Sequence, residues 1–159
     1  MPHQHMIELL KLAKVFRGLS DDHLEMISDG GKTTEYQRNE TIINEGQTGH
    51  SLFIVIKGQV EVVLPKKAGT QMLERATRIK LSRLAPGDCI GEYSLIDQKP
   101  ASASVVAIEP CTLFEISRSS FENMVNSSDY LAKTIYKNML LIMIKRARDS
   151  NQELDMCYH

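Results

Sequence analysis

The sequence predicts a mainly β fold with flanking α-helices: an antiparallel double-stranded β-helix of jelly-roll type, its eight strands closed into a barrel. Two observations carry this expectation. Between Thr33 and Ser117, β-branched clusters recur in "ETIINEG", "SLFIVIKGQVEVVL", "TRIKLSRLAPGD" and "ASASVVAIEPCTLFEIS", punctuated at short intervals by Gly, Asn, Pro and Asp. Many short strands separated by turn residues are the pattern of an antiparallel barrel or jelly roll. At both ends of that stretch the apolar residues return to helical spacing. A chain of 159 residues suffices for one domain with a core of its own.

Residues 1–32 read as N-terminal helices. In "IELLKLAKVFRGLSDDHLEMIS" the apolar positions Leu9, Leu10, Ala13, Phe16, Leu24 and Ile27 keep helical spacing, broken at Gly18. Ser20 precedes Asp21 and Asp22, so it reads as the N-cap of a second helix whose dipole those carboxylates complement. Residues 33–117 form the barrel. Lys57 and Gly58 sit between two apolar runs as a tight hairpin turn would, and the polar stretch 65–76 is the expected flexible loop. Residues 118–159 are C-terminal helices and a tail. Ser119 and Glu122 have capping-box spacing, and a longer helix is expected from about Tyr130 to Leu154. Its apolar residues Leu131, Ile135, Met139, Ile142 and Met143 form a stripe that Leu140, Leu141 and Ile144 widen beyond one face. Such a helix has more than one thing to cover. A parallel homodimer through it is therefore expected, sensitive to charge at Ile142 and Met143, with the polar end from Lys145 through Arg146 and Arg148 to Asp155 projecting into solvent; the alternative is that the N-terminal helices of the same chain cover the second face.

Composition narrows the function classes. Hydrophobic residues at 42% and charged residues at 25% are the mixture of a soluble globular protein. A formal net charge of −1 gives no global attraction to nucleic acid or anionic lipid. Cys89, Cys111 and Cys157 form no CxxC pair and read as reduced thiols. The run "MLLIMI" falls well short of the ~20 residues that span a bilayer, so a cytoplasmic protein without membrane attachment is expected. The histidines His3, His5, His23, His50 and His159 show no metal-ligand spacing beyond the terminal pair, and no GxSxG, HExxH or Walker sequence occurs. No enzyme, metal or cofactor is expected.

The chemistry concentrates in "IGEYSLIDQKPASASV", residues 90–105. Gly91 lets the backbone approach a ligand closely, and the turn after it presents N–H groups as a helix start does, which suits a phosphate. Glu92 can accept hydrogen bonds from a ribose hydroxyl. It can equally be an acidic residue of a first helical turn, stabilised by the dipole alone. Tyr93 either sets a phenol at the pocket wall or packs outward.

In layout and motif the chain resembles the cyclic-nucleotide-binding domain family, found in the catabolite activator protein and in the regulatory subunit of cAMP-dependent protein kinase. The resemblance runs from about Val15 to Leu154. It rests on "VFRGLSDDHLEMIS", on "NETIINEGQTGHSLFIVIKGQVEVV" with its glycines at 46, 49 and 58, and on "LAPGDCIGEYSLI". The family's phosphate-binding cassette reads approximately F-G-E-L-A-L, a few residues, then R-x-A-[ST]-V; here the matching residues are Ile90 to Leu95 and Ala101 to Val105. The resemblance implies a ligand site of Gly91, Glu92, Tyr93, Ser94, Ala101, Ser102 and Ser104, with Glu92 on the ribose 2′-OH and cAMP or cGMP as ligand. It departs from the family at Ala101, where a methyl group stands in place of the arginine, and where Tyr93 and Ser94 replace an apolar pair. Charge-assisted hydrogen bonds contribute about 1.5–3 kcal/mol each, so the loss should weaken phosphate binding at least roughly ten- to a hundredfold. Ser102, Ser104, Lys99, Arg146 and Arg148 are the candidates to compensate, although a final helix running away from the barrel would leave the two arginines in water.

The leading expectation is thus a regulatory, signal-sensing domain that binds a cyclic nucleotide in the 90–105 cassette. The alternative is a degenerate domain of the same fold that binds no nucleotide and serves as a dimerisation or docking module for an unidentified protein partner. Direct DNA binding is not expected, because the residues after Val125 suffice for one helix and a tail.

Overall fold

Apolar spacing in the first 30 residues produces two helices, but the first ends at Leu10 rather than running on to Gly18, and Ala13 and Phe16 fall in a separate turn. The computed structural model of the chain describes residues 3–49, 51–66 and 77–158. Helix α1 (His3–Leu10) buries Met6, Ile7 and Leu10, a 3-10 turn (Lys14–Phe16) buries Val15 and Phe16, and α2 (Asp21–Asp29) buries Leu24 and Ile27. Ser20 caps α2: its hydroxyl accepts the His23 N–H at 3.3 Å, with Asp21 and Asp22 in the first turn.

Eight strands are found among the described residues: β1 (Lys32–Tyr36), β2 (Thr41–Ile43), β3 (Ser51–Lys57), β4 (Val60–Leu64), β5 (Ile79–Leu84), β6 (Cys89–Ile90), β7 (Ser104–Ala107) and β8 (Cys111–Ser117). They form two four-stranded antiparallel sheets, ordered β1-β8-β3-β6 and β2-β7-β4-β5. The expected barrel is corrected here. Strands β1 and β6 remain edges of one sheet and β2 and β5 edges of the other, and among the described residues no ladder joins the sheets into a closed ring.

The strand period of two explains the layers. Along β3, Leu52 and Ile54 join a core shared with the helices, whereas Phe53 and Val55 join a second core with Val60, Val105, Ala107 and Leu113 from both sheets. Along β8, Phe114 and Ile116 likewise face the helices and Leu113 faces the other sheet. The inner strands β3 and β8 of the first sheet are therefore buried on both sides, with helices on one and the second sheet on the other, while the edge strand β1 is largely exposed. The outer face of the second sheet is open, and β5 is exposed from Ile79 to Arg83.

Gly58 does not make the expected tight hairpin. Strands β3 and β4 lie in different sheets, so the turn at Gly58 and Gln59 carries the chain from one sheet to the other. Gly58 has φ +86°, and a Cβ there would lie 2.4 Å from the Pro110 carbonyl oxygen, so the crossing needs glycine. Of the expected loop 65–76, residues 67–76 lie outside the described residues.

The C-terminal region holds two further corrections. Helix α4 (Arg118–Ser127) is capped by Ser117, whose hydroxyl accepts the Ser120 N–H at 3.2 Å. The helix begins two residues before the expected capping box, and Glu122 pairs with Arg118 instead. Helix α5 runs from Asp129 to Tyr158, longer than expected, because no Gly or Pro interrupts it. It buries Leu131, Ile135 and Met139, and Ile142 and Met143 pack against the same core; Leu140, Leu141 and Ile144 are the exposed ones. Asn138 anchors this helix, its Nδ2 donating to the Val15 carbonyl at 3.0 Å and the Arg17 carbonyl at 2.9 Å. No helix among the described residues is long and apolar enough to cross a membrane.

Candidate functional site

The strand-to-helix turn at residues 85–98 builds one wall of a cavity of about 380 Å³. Asp88 closes the turn that feeds it, Oδ2 accepting the Ala85 N–H at 2.9 Å while Oδ1 pairs with Lys14 at 2.5 Å. After β6, Gly91 adopts φ +90° as the N-cap of a short helix α3 (Glu92–Asp97). A Cβ at Gly91 would lie 2.2 Å from the Ser51 carbonyl oxygen, so only glycine lets the chain turn here. That turn places Glu92 first in the helix, where early N–H groups have no intrahelical acceptor.

Of the residues expected from the sequence, Gly91, Glu92, Tyr93, Ser94, Ala101 and Ser102 all line the cavity. Ser104 is not among the lining residues; it is buried, and its hydroxyl accepts the Glu45 N–H at 2.9 Å. Lys99 is exposed and also absent from the lining. Ala101 is held by reciprocal backbone bonds, its N–H donating to the Gln47 carbonyl at 2.9 Å and its carbonyl accepting the Gly46 N–H at 2.8 Å. Its methyl group packs against the core between the sheets.

Arg146 completes the site from α5. Its Nη1 bonds the Glu92 carboxylate, and its Nη2 donates to the Cys89 carbonyl at 2.9 Å. The expectation that the polar end of α5 projects entirely into water is corrected by this contact. Arg148 does lie exposed and Lys145 pairs with Asp149 on the surface, whereas Arg146 turns back. Burial pulls the Arg146 guanidinium down, but the Glu92 charge and hydrogen bonding to Glu92 and Tyr93 outweigh it and hold the group above its ordinary value. Glu92 itself is 3% exposed, so its charge is compensated inside the protein rather than by water. Beneath it, burial first and the Glu92 charge second push the Cys89 thiol up to about 12. Tyr93 is half-exposed and is among the residues that line the cavity.

Residues remote in sequence supply the rest of the lining. Gln47 and Ser51 flank the first sheet, Val62, Leu81, Ser82 and Leu84 come from the second, and Glu115 comes from β8. Gln47, Ser51 and Val62 lie in the stretch "NETIINEGQTGHSLFIVIKGQVEVV", which carried the resemblance without marking them as site residues, and Gln47 sits between the glycines at 46 and 49 in the turn that holds Ala101. Among the described residues no group of three or more His, Cys, Asp or Glu side chains could hold a metal ion.

Comparison with known proteins places this geometry. A model of the cyclic nucleotide-binding domain matches residues 33–128. The chain is 25% identical over 147 residues to the cyclic AMP receptor protein of Thermus thermophilus, which covers 92% of this chain and 63% of that protein. It is 36% identical over 93 residues to the regulatory subunit of a cAMP-dependent protein kinase from Mycosarcoma maydis, covering 58% of this chain and 16% of that subunit. The chain thus spans less than two thirds of either relative's length. Its fold is also that of a cyclic nucleotide-binding domain from Methylobacillus flagellatus, with a TM-score of 0.78 at 22% identity over 95% of this chain and 81% of that one.

Proposed function

This chain belongs to the cyclic nucleotide-binding domain family, and on that premise we propose that it is a regulatory, signal-sensing domain whose cavity receives a nucleotide-type ligand and whose helix α5 transmits its occupancy. Glu92 accepts a hydrogen bond from the ribose 2′-OH, and the backbone amides from Gly91 to Ser94 serve the phosphate, with cAMP and cGMP as the family's ligands. One observation carries the reading: Glu92 lies in the cavity wall and is held by Arg146 of α5. A ligand that bonds Glu92 must compete with that contact or add to it, and either changes the free energy of α5 in its present position. The role is binding, not catalysis.

Isothermal titration of the chain with cAMP, cGMP, adenosine and guanosine tests the reading. Binding of at least one, lost in Glu92→Ala while the variant still unfolds cooperatively, is the expected outcome. Undiminished binding in Glu92→Ala would remove the ribose contact. The alternative, a docking module without nucleotide, draws on Ala101 and on the prior engagement of Glu92 by Arg146. It predicts no heat with any of the four.

We further propose that α5 pairs with a second copy of the chain. Leu140, Ile144, Ala147, Asn151, Leu154 and Tyr158 are all exposed and follow one another at alternating steps of four and three, the spacing of a coiled-coil seam. Asn151 falls at an a position of that seam, where a single polar residue favours one register and a two-stranded assembly. Apolar area on such a seam contributes roughly 25 cal/mol for each square ångström removed from water.

A further inference from the structure

We propose that the cavity prefers an uncharged nucleoside to the corresponding cyclic phosphate. This rests on the reading that Glu92 takes a ribose, and it follows from the charges around the cavity. Among the described residues, the charged side chains lining it are Glu92, Glu115 and Arg146. Arg146 is already paired with Glu92. Glu115 has Lys32 at 3.8 Å, but the lysine side chain is 74% exposed and does not line the cavity. The formal balance of the lining is therefore negative before any ligand enters.

A cyclic phosphate entering this space has two options. It can stay without a counter-ion beside two carboxylates, facing the Ala101 methyl group where a guanidinium would be needed. Or it can draw Arg146 away from Glu92, leaving a carboxylate that is 3% exposed without its partner. Each option costs binding energy that a nucleoside does not lose. A ribose diol adds donors to a carboxylate that offers about four acceptor sites, so Arg146 can remain in place while the sugar binds. The remaining polar lining, including Gln47, Ser51, Ser82 and Ser102, is neutral and capable of hydrogen bonding, and Ile43, Val62, Leu81 and Leu84 supply an apolar wall for a base.

The test is a titration of the full chain with adenosine, guanosine, cAMP, cGMP and 2′-deoxyadenosine. The expected result is nucleoside binding roughly tenfold tighter than that of the matching cyclic nucleotide, the size of one missing charge-assisted contact. Ala101→Arg should narrow or invert that ratio. Cyclic nucleotides binding more tightly to the unmodified chain would overturn the nucleoside preference and leave the ribose reading standing. Adenosine and 2′-deoxyadenosine binding equally well would instead overturn the ribose reading. Absence of heat with all five ligands would overturn both.

Discussion

Glu92 and Arg146, 54 residues apart in sequence, meet at the wall of the cavity, the carboxylate almost fully buried and the guanidinium about one third exposed. The burial is unequal, and so are the consequences of removing each partner. Loss of Arg146 strands a buried charge, whereas loss of Glu92 frees a guanidinium that can turn to water.

Arg146→Met should therefore lower the unfolding free energy by about 2 kcal/mol, less than for a fully buried pair because water reaches the guanidinium. The double variant Glu92→Gln/Arg146→Met should recover most of that loss. Urea denaturation of the two variants beside the parent measures the difference. Equal stability of Arg146→Met and parent would mean that the pair contributes nothing to holding α5.

Cys89 predicts an alkaline weakness. Its thiol rises from the ordinary 9.0 to about 12 in the folded chain, chiefly through burial. Between those values the unfolded chain releases a proton that the folded chain keeps, so the contribution is complete below pH 9 and is lost as pH rises toward 12. Burial raises Cys111 and Tyr36 in the same direction. Urea midpoints should fall through that range, and less steeply in Cys89→Ala. At neutral pH a thiol reagent should modify exposed Cys157 alone in the native chain, with buried Cys89 and Cys111 reacting only in denaturant.

Association through α5 is tested on its exposed seam. Ile144→Glu with Leu154→Glu should convert a dimer to a soluble monomer in sedimentation at tens of micromolar, while the variant still unfolds cooperatively in urea. Substitution at Ile142 or Met143 would instead damage the chain's own core, against which both pack. A parent chain that sediments as a monomer would rule out the pairing.

The cassette was legible because its chemistry is contiguous. Gly91, Glu92, Tyr93 and Ser94 reach the cavity through one turn and one short helix, and Ala101 and Ser102 through the segment that follows it. The opposite wall was not legible: Gln47, Val62, Ser82 and Glu115 come together only through ladders whose register no local pattern encodes. The succession of short strands was readable from punctuation and their number from that together with the family resemblance, yet closure depends on whether edges meet. The turn at Gly58 shows the same limit, since Lys-Gly between apolar runs fits a hairpin and a crossing alike. Arg146 lay on a helix whose existence was plain, but its direction depends on Asn138 finding the Val15 and Arg17 carbonyls more than 120 positions earlier in the chain.

The pairing of β1 with β8, Lys32 opposite Glu115 through Tyr36 opposite Cys111, also sets a timetable for biosynthesis. Strand β1 has no ladder partner other than β8 among the described residues, and β3 relies on β8 for most of its ladder. The first sheet therefore cannot be completed on the ribosome until Ser117, the last residue of β8, has left the exit tunnel. Until then β3, with four consecutive buried residues from Leu52 to Val55, has no finished surface to cover it. A nascent chain halted before β8 has emerged should accordingly depend on holdase chaperones, and one halted with Ser117 clear of the ribosome should depend on them less.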